Sequence, residues 1–80
     1  MNTNENIYKV SDLPLIVTIS LFFPIESVDK TNLRRIFFAF MRSKELDELV
    51  EKYFRGELTV EPQKFFNQLK NIKTRIYAEG

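Results

Sequence analysis

The chain has 80 residues, a net charge of +1, no cysteine and no histidine. That excludes disulfides, thiol catalysis and thiolate metal sites, and removes the commonest general base and transition-metal ligands. The length supports one domain, and a 44% hydrophobic content with eight Phe and three Tyr is enough to build its core.

Residues 1–10 are polar and read as a flexible N-terminal arm with Ile7, Tyr8 and Val10 as its only anchors. Residues 11–80 read as a single α+β domain. Ser11-Asp12-Leu13-Pro14 has the form of a helix start, an oxygen-bearing cap followed by a first-turn proline. The apolar run Leu13 to Phe23 that follows is too short to span a bilayer. It also lacks the basic flank and cleavage site of a secretory signal, so a cytoplasmic protein without membrane contact is expected. Two structures fit this run. Leu15, Val17, Ile19, Leu21 and Phe23 alternate as in a strand, while Leu13, Ile16, Val17, Ser20 and Leu21 share one helical face. The Asp-Leu-Pro opening favours the helix, which Pro24 ends.

Ile25 to Asp29 and Arg34 to Arg42 read as a two-stranded antiparallel hairpin, with Asp29-Lys30-Thr31-Asn32 as its turn. The period of two sends Ile36, Phe38 and Phe40 to the core face, and Arg35, Phe37, Ala39 and Met41 to the other. Ser43 then caps a helix that carries Glu45 and Asp47 in its first turn. Its apolar stripe is Leu46, Leu49, Val50, Tyr53 and Phe54, and Gly56 sits where a C-terminal glycine belongs. Glu57 to Val60 is an extended connector. Glu61-Pro62 starts the last helix, with a stripe of Phe65, Phe66, Leu69, Ile72, Ile76 and Tyr77. The expected fold is therefore α+β, in α-β-β-α-α order, with three helices packed on a two-stranded hairpin.

Taken together, Asp12-Leu13, the aromatic strand Arg35-Ile36-Phe37-Phe38-Ala39-Phe40, Leu46 to Tyr53 and Gly56-Glu57-Leu58 form a pattern. It continues through Val60-Glu61-Pro62, Phe65-Phe66, Leu69 to Lys73 and Ile76-Tyr77. This pattern resembles a family of short prokaryotic and phage-type proteins classed only as a domain of unknown function, over roughly Ser11 to Tyr77. The resemblance implies a fold and no catalytic residues. That family tends to close its first helix on a glycine, where this chain has Phe22-Phe23-Pro24.

The charges are segmented. Lys30, Arg34, Arg35, Arg42 and Lys44 follow one another with no acid between them, and Glu45, Asp47, Glu48, Glu51 and Glu57 come next. The basic strand has three readings. It is a base-stacking platform, with Phe37 beside Arg34, Arg35 and Arg42; or core with arginines solvating an edge; or a protein-binding face. Phe37, Ala39 and Met41 are too apolar for a wet face. Unless the N-terminal arm covers them, they imply a homodimer or a protein partner. The acidic helix could meet a basic partner or mimic phosphates, but it also reads as a solvated face with Glu48–Lys52 pairing. Lys64, Lys70, Lys73 and Arg75 on the last helix either stabilise its C-terminus or contact phosphates. Gln63, Asn67, Gln68 and Asn71 on the same helix keep a helix-turn-helix reading open.

No spacing makes a nucleophile–base pair, a glycine-rich phosphate loop or a calcium loop. The expectation is a non-enzymatic interaction module without cofactor, metal or small-molecule substrate, of the kind that serves as an accessory or inhibitor protein of a mobile element or phage. It would bind a protein partner or itself through Arg34, Arg35, Phe37, Met41 and Arg42. The alternative is a nucleic-acid binder that adds Lys64, Lys70, Lys73 and Arg75, although a pI near 8.0 is low for that class.

Overall fold

Asp12 and Pro14 do start a helix. In the computed structural model, which describes residues 6–78, α1 spans Leu13–Ser20, and the Leu15 N–H donates to Asp12 Oδ2 at 3.2 Å. Leu15, Ile16, Val17, Thr18 and Ile19 are all buried, and the Thr18 hydroxyl donates to the Pro14 carbonyl at 2.8 Å. A helix enclosed on nearly every side is apolar at nearly every position, which is why strand alternation fitted the same residues. Both the Phe22 and Phe23 N–H groups donate to the Ile19 carbonyl at 2.9 Å. The helix thus closes without a left-handed residue, and no glycine is required there.

The sheet has three strands where two were expected. Ile7–Val10, placed in the flexible arm from sequence, form β1; Ser27–Asp29 form β2 and Phe37–Met41 form β3. Residues 1–5 of the expected arm lie outside the described residues. The order is β1-β3-β2, antiparallel throughout, with Tyr8 opposite Phe40, Val10 opposite Phe38 and Val28 opposite Phe38. The third strand was missed because its partner lies some thirty residues away, and four residues carry too little alternation to announce a strand. Its pairing covers an edge of β3 that a hairpin would have left open.

β3 also starts later than expected, so Arg34 and Arg35 lie on the β2–β3 loop. The loop is longer than a four-residue turn because two Asx turns succeed each other. Asp29 Oδ1 accepts from the Thr31 N–H at 2.9 Å, and Asn32 Oδ1 accepts from the Arg34 N–H at 3.0 Å.

Phe38 and Phe40 point to one face and are fully buried there, against Val10, Ile16, Ile19, Leu46 and Ile72. α1 is the middle of the helical layer, with α2 (Lys44–Phe54) and α3 (Pro62–Tyr77) packed against it. Ser43 caps α2, its Oγ accepting from the Leu46 N–H at 3.0 Å. Gly56, with φ of 71°, ends it in a Schellman arrangement: its N–H reaches the Tyr53 carbonyl, and the Glu57 N–H reaches that of Lys52. On α3 the core face is narrower than the expected stripe. Ile72 is buried and Phe65, Leu69 and Ile76 are partly so, whereas Phe66 and Tyr77 face outward. Phe54 of α2 is likewise exposed, its ring edge-on to Tyr53 at 5.2 Å.

Candidate functional site

Lys30 joins the β2–β3 loop to the end of α3. Its Nζ donates to the Arg75 carbonyl at 2.7 Å and to the Ala78 carbonyl at 3.1 Å. These are acceptors that a helix C-terminus leaves without intrahelical partners, and the negative end of the helix dipole favours the ammonium. The staple holds loop and helix end as the two walls of a groove of about 460 Å³. The start of α1 provides the third side. Leu13, Ile16, Ile36 and Ile76 line the groove with aliphatic surface, and Arg34 and Arg35 stand on its rim. Leu33 and Tyr77 flank it, 78% and 79% exposed.

Arg35 connects this groove to the outer face of the sheet. Its Nε donates to Ser11 Oγ at 3.3 Å, and its guanidinium lies 5.8 Å from the centre of the Phe37 ring. That contact half-covers Phe37. Beside it Ala39 is 5% exposed, lying between Lys9 and Ser27, and Lys9 Nζ reaches across to Asp29 Oδ2 at 3.9 Å. Hydrogen bonding from Thr31, and then the nearby Lys9, holds the Asp29 carboxyl below the usual aspartate value. The expected continuous apolar face of Phe37, Ala39 and Met41 is therefore divided. Only Met41, at 50% exposure, stands open at its far end.

Arg42 does not join Arg34 and Arg35. It lies beyond the opposite end of β3, about 17 Å along a five-residue strand, and its Nη2 is 3.0 Å from Asp47 Oδ2. The four basic residues of α3 also separate. At about 100° per residue, Lys70 and Lys73 lie on one flank and Lys64 and Arg75 on the other. Lys70 Nζ sits 4.8 Å from the centre of the Phe66 ring.

On α2 the i,i+4 ion pair is Glu51–Arg55 at 3.6 Å, with Glu57 also on Arg55 at 3.3 Å; Glu48–Lys52 is not among the ion pairs of the described residues. Among the described residues no three His, Cys, Asp or Glu side chains cluster to hold a metal, and no helix is long and apolar enough to cross a membrane.

The structure thus brings Arg34 and Arg35 together with residues that sequence reasoning did not select: Ser11, Leu33, Ile36 and Tyr77. Leu33 carried a signal, being a large apolar residue inside an otherwise polar turn. Tyr77 carried a misleading one, because it extends the apolar period of α3 past the point where the core ends.

No curated protein and no solved structure matches the chain. A family model does match, over residues 5–78, and the chain belongs to that family, described as a domain of unknown function, DUF5659.

Proposed function

We propose that the protein is a non-enzymatic interaction module that binds a protein partner at the groove between the β2–β3 loop and the end of α3. The observation that carries this reading is the pairing of Leu33 and Tyr77. They are the two most exposed large apolar side chains of the described residues, and both flank the same arginine-rimmed groove. Phe22, Met41, Phe54 and Phe66 are also exposed, each less so and away from this groove; two large apolar side chains at one concave, charged-rimmed place have the usual anatomy of an interface. Arg35 and Phe37 extend the surface onto the sheet.

Nucleic-acid binding is the second reading, favoured by Arg34 and Arg35 having no carboxylate within salt-bridge distance among the described residues. Against it stands the division of the α3 cations between two flanks, which leaves no continuous track for a phosphate backbone.

A photo-crosslinking amino acid in place of Tyr77 tests the proposal in cells of the source organism. The expected result is a discrete protein adduct that disappears when Arg34→Glu and Arg35→Glu are added, and that does not form from the same probe at Asn71. Nucleic-acid adducts would replace the proposal with the second reading, and no arginine-dependent adduct would refute both.

A further inference from the structure

We infer that the groove takes an acidic peptide segment of a partner protein, with one apolar anchor residue set between carboxylates; the inference rests on the interaction reading above. The floor calls for the anchor. Leu13, Ile36 and Ile76 offer aliphatic surface, with buried Ile16 beneath and Ser11 beside them, and about 460 Å³ accommodates a large side chain.

The rim calls for the carboxylates. Lys9, Arg42 and Arg55 have carboxylate partners. Arg34 and Arg35, like Lys44, Lys52, Lys64, Lys70, Lys73 and Arg75, have none among the described residues; what sets the two arginines apart is that both line one apolar groove. Two acids at the neighbouring chain segments have partners of their own. Asp12 accepts from the Leu15 N–H and from the Tyr53 hydroxyl at 3.4 Å, and Asp29 accepts from the Thr31 N–H and faces Lys9. The Arg35 guanidinium lies by the Phe37 ring and, among the described residues, hydrogen-bonds through Nε alone, which leaves its terminal N–H groups for a bidentate carboxylate.

The walls are also held before any ligand arrives. Lys30 staples the loop to the last turn of α3, and the two Asx turns set the loop backbone, so little ordering remains to be done on binding. The same features argue against an oligonucleotide. The floor is aliphatic rather than aromatic, Tyr77 is the one ring that lines the groove, and two arginines span few phosphates.

The test is a selection of random displayed dodecapeptides on the full chain, with counter-selection on a Leu33→Asp, Tyr77→Ser double variant. Both substituted side chains are mostly exposed, so the variant keeps its fold; circular dichroism checks this. Enriched sequences are then synthesised with a fluorophore, and their binding is followed by anisotropy beside labelled oligo(dT).

The expected outcome is enrichment of an apolar residue flanked by Asp or Glu. Replacing that residue by Ser, or introducing Arg34→Glu with Arg35→Glu, should each weaken binding about tenfold or more, while Met41→Asp changes nothing. Groove-dependent peptides without acidic residues would overturn the inference and leave the interaction reading standing. Absence of any groove-dependent peptide would overturn both, as would oligo(dT) binding that depends on Arg34 and Arg35. If light scattering shows self-association that the Arg34→Glu, Arg35→Glu variant abolishes, the occupant is a second copy of the chain and the inference falls.

Discussion

The two ends of β3 carry arginines in quite different states. At the Met41 end, Arg42 is paired with Asp47, which lies in the first turn of α2 where the helix dipole also favours an acid. Tyr8 is packed nearby, and burial first, then Asp47 and Asp12, raise its hydroxyl above the usual tyrosine value. At the Phe37 end, Arg35 spans Ser11 and Phe37, Arg34 has no carboxylate within salt-bridge distance among the described residues, and Leu33 and Tyr77 stand out into solvent. One end uses its charge to complete the fold, whereas the other leaves charge and apolar surface unspent. A uniformly basic segment of sequence is thus divided by the tertiary structure into one end whose arginine is ion-paired and one whose arginines have no ion pair among the described residues.

The largest expected effect breaks both ends together. Phe38→Ala removes a fully buried ring from the strand they share and should cost about 3–5 kcal/mol. In urea unfolding that is a large part of the stability of a small domain. Phe54→Ala, at an exposed ring, should stay within about 0.5 kcal/mol.

Next come the caps, one at each end. Ser43→Ala should cost about 1 kcal/mol by losing the bond to the Leu46 N–H. Lys30→Met should cost about 0.3–1 kcal/mol, with faster amide exchange confined to the last turn of α3. If exchange there is unchanged, the staple across the groove is not what holds its walls.

Smaller still, and more pointed, is the contrast between the arginines. Arg42→Ala should lose about 0.2–1 kcal/mol at low salt and nothing at 1 M salt, because its pair is exposed. Arg34→Ala should leave stability unchanged at both. A salt-dependent loss from Arg34→Ala would erase the distinction between the two ends.

The smallest effect is with pH, and it reaches the two ends from opposite sides. The folded state lowers the Asp29 pKa, so its contribution is present above about pH 4 and is lost as pH falls through the lowered value. The Tyr8 pKa is raised, so its contribution is present below about pH 10 and is lost as pH rises through the raised value. Thermal melting should show Asp29→Asn flattening the acid limb and Tyr8→Phe flattening the alkaline one.

Much of this was legible in the residues. Ser43 with Leu46, Leu49, Val50, Tyr53 and Gly56 specified α2 from cap to terminator. Asp12-Leu13-Pro14 specified where α1 starts, and the parity of Phe38 and Phe40 specified the core side of β3. β1 was not legible, since its evidence is a partner far along the chain. Of the candidate site, Arg34 and Arg35 were found by charge. Their separation from Arg42 is the length of the strand itself, and the two Asx turns, which delay that strand until Phe37, set Arg34 and Arg35 on a loop instead.

By itself the sequence determined the two C-terminal helices, which face of the central strand is buried, and the absence of thiol and imidazole side chains; the run after Asp12 fitted helix and strand alike. Caps, periodicity and composition are local quantities, and each is complete within a few turns of chain. The tertiary structure alone decided that Ile7–Val10 completes the sheet, that Asp47 claims Arg42, and that Lys30 brings Leu33 and Tyr77 to the two sides of one groove. Those outcomes depend on contacts between residues distant in the chain, where the entropy of closing a long loop is repaid only once the shared core has formed.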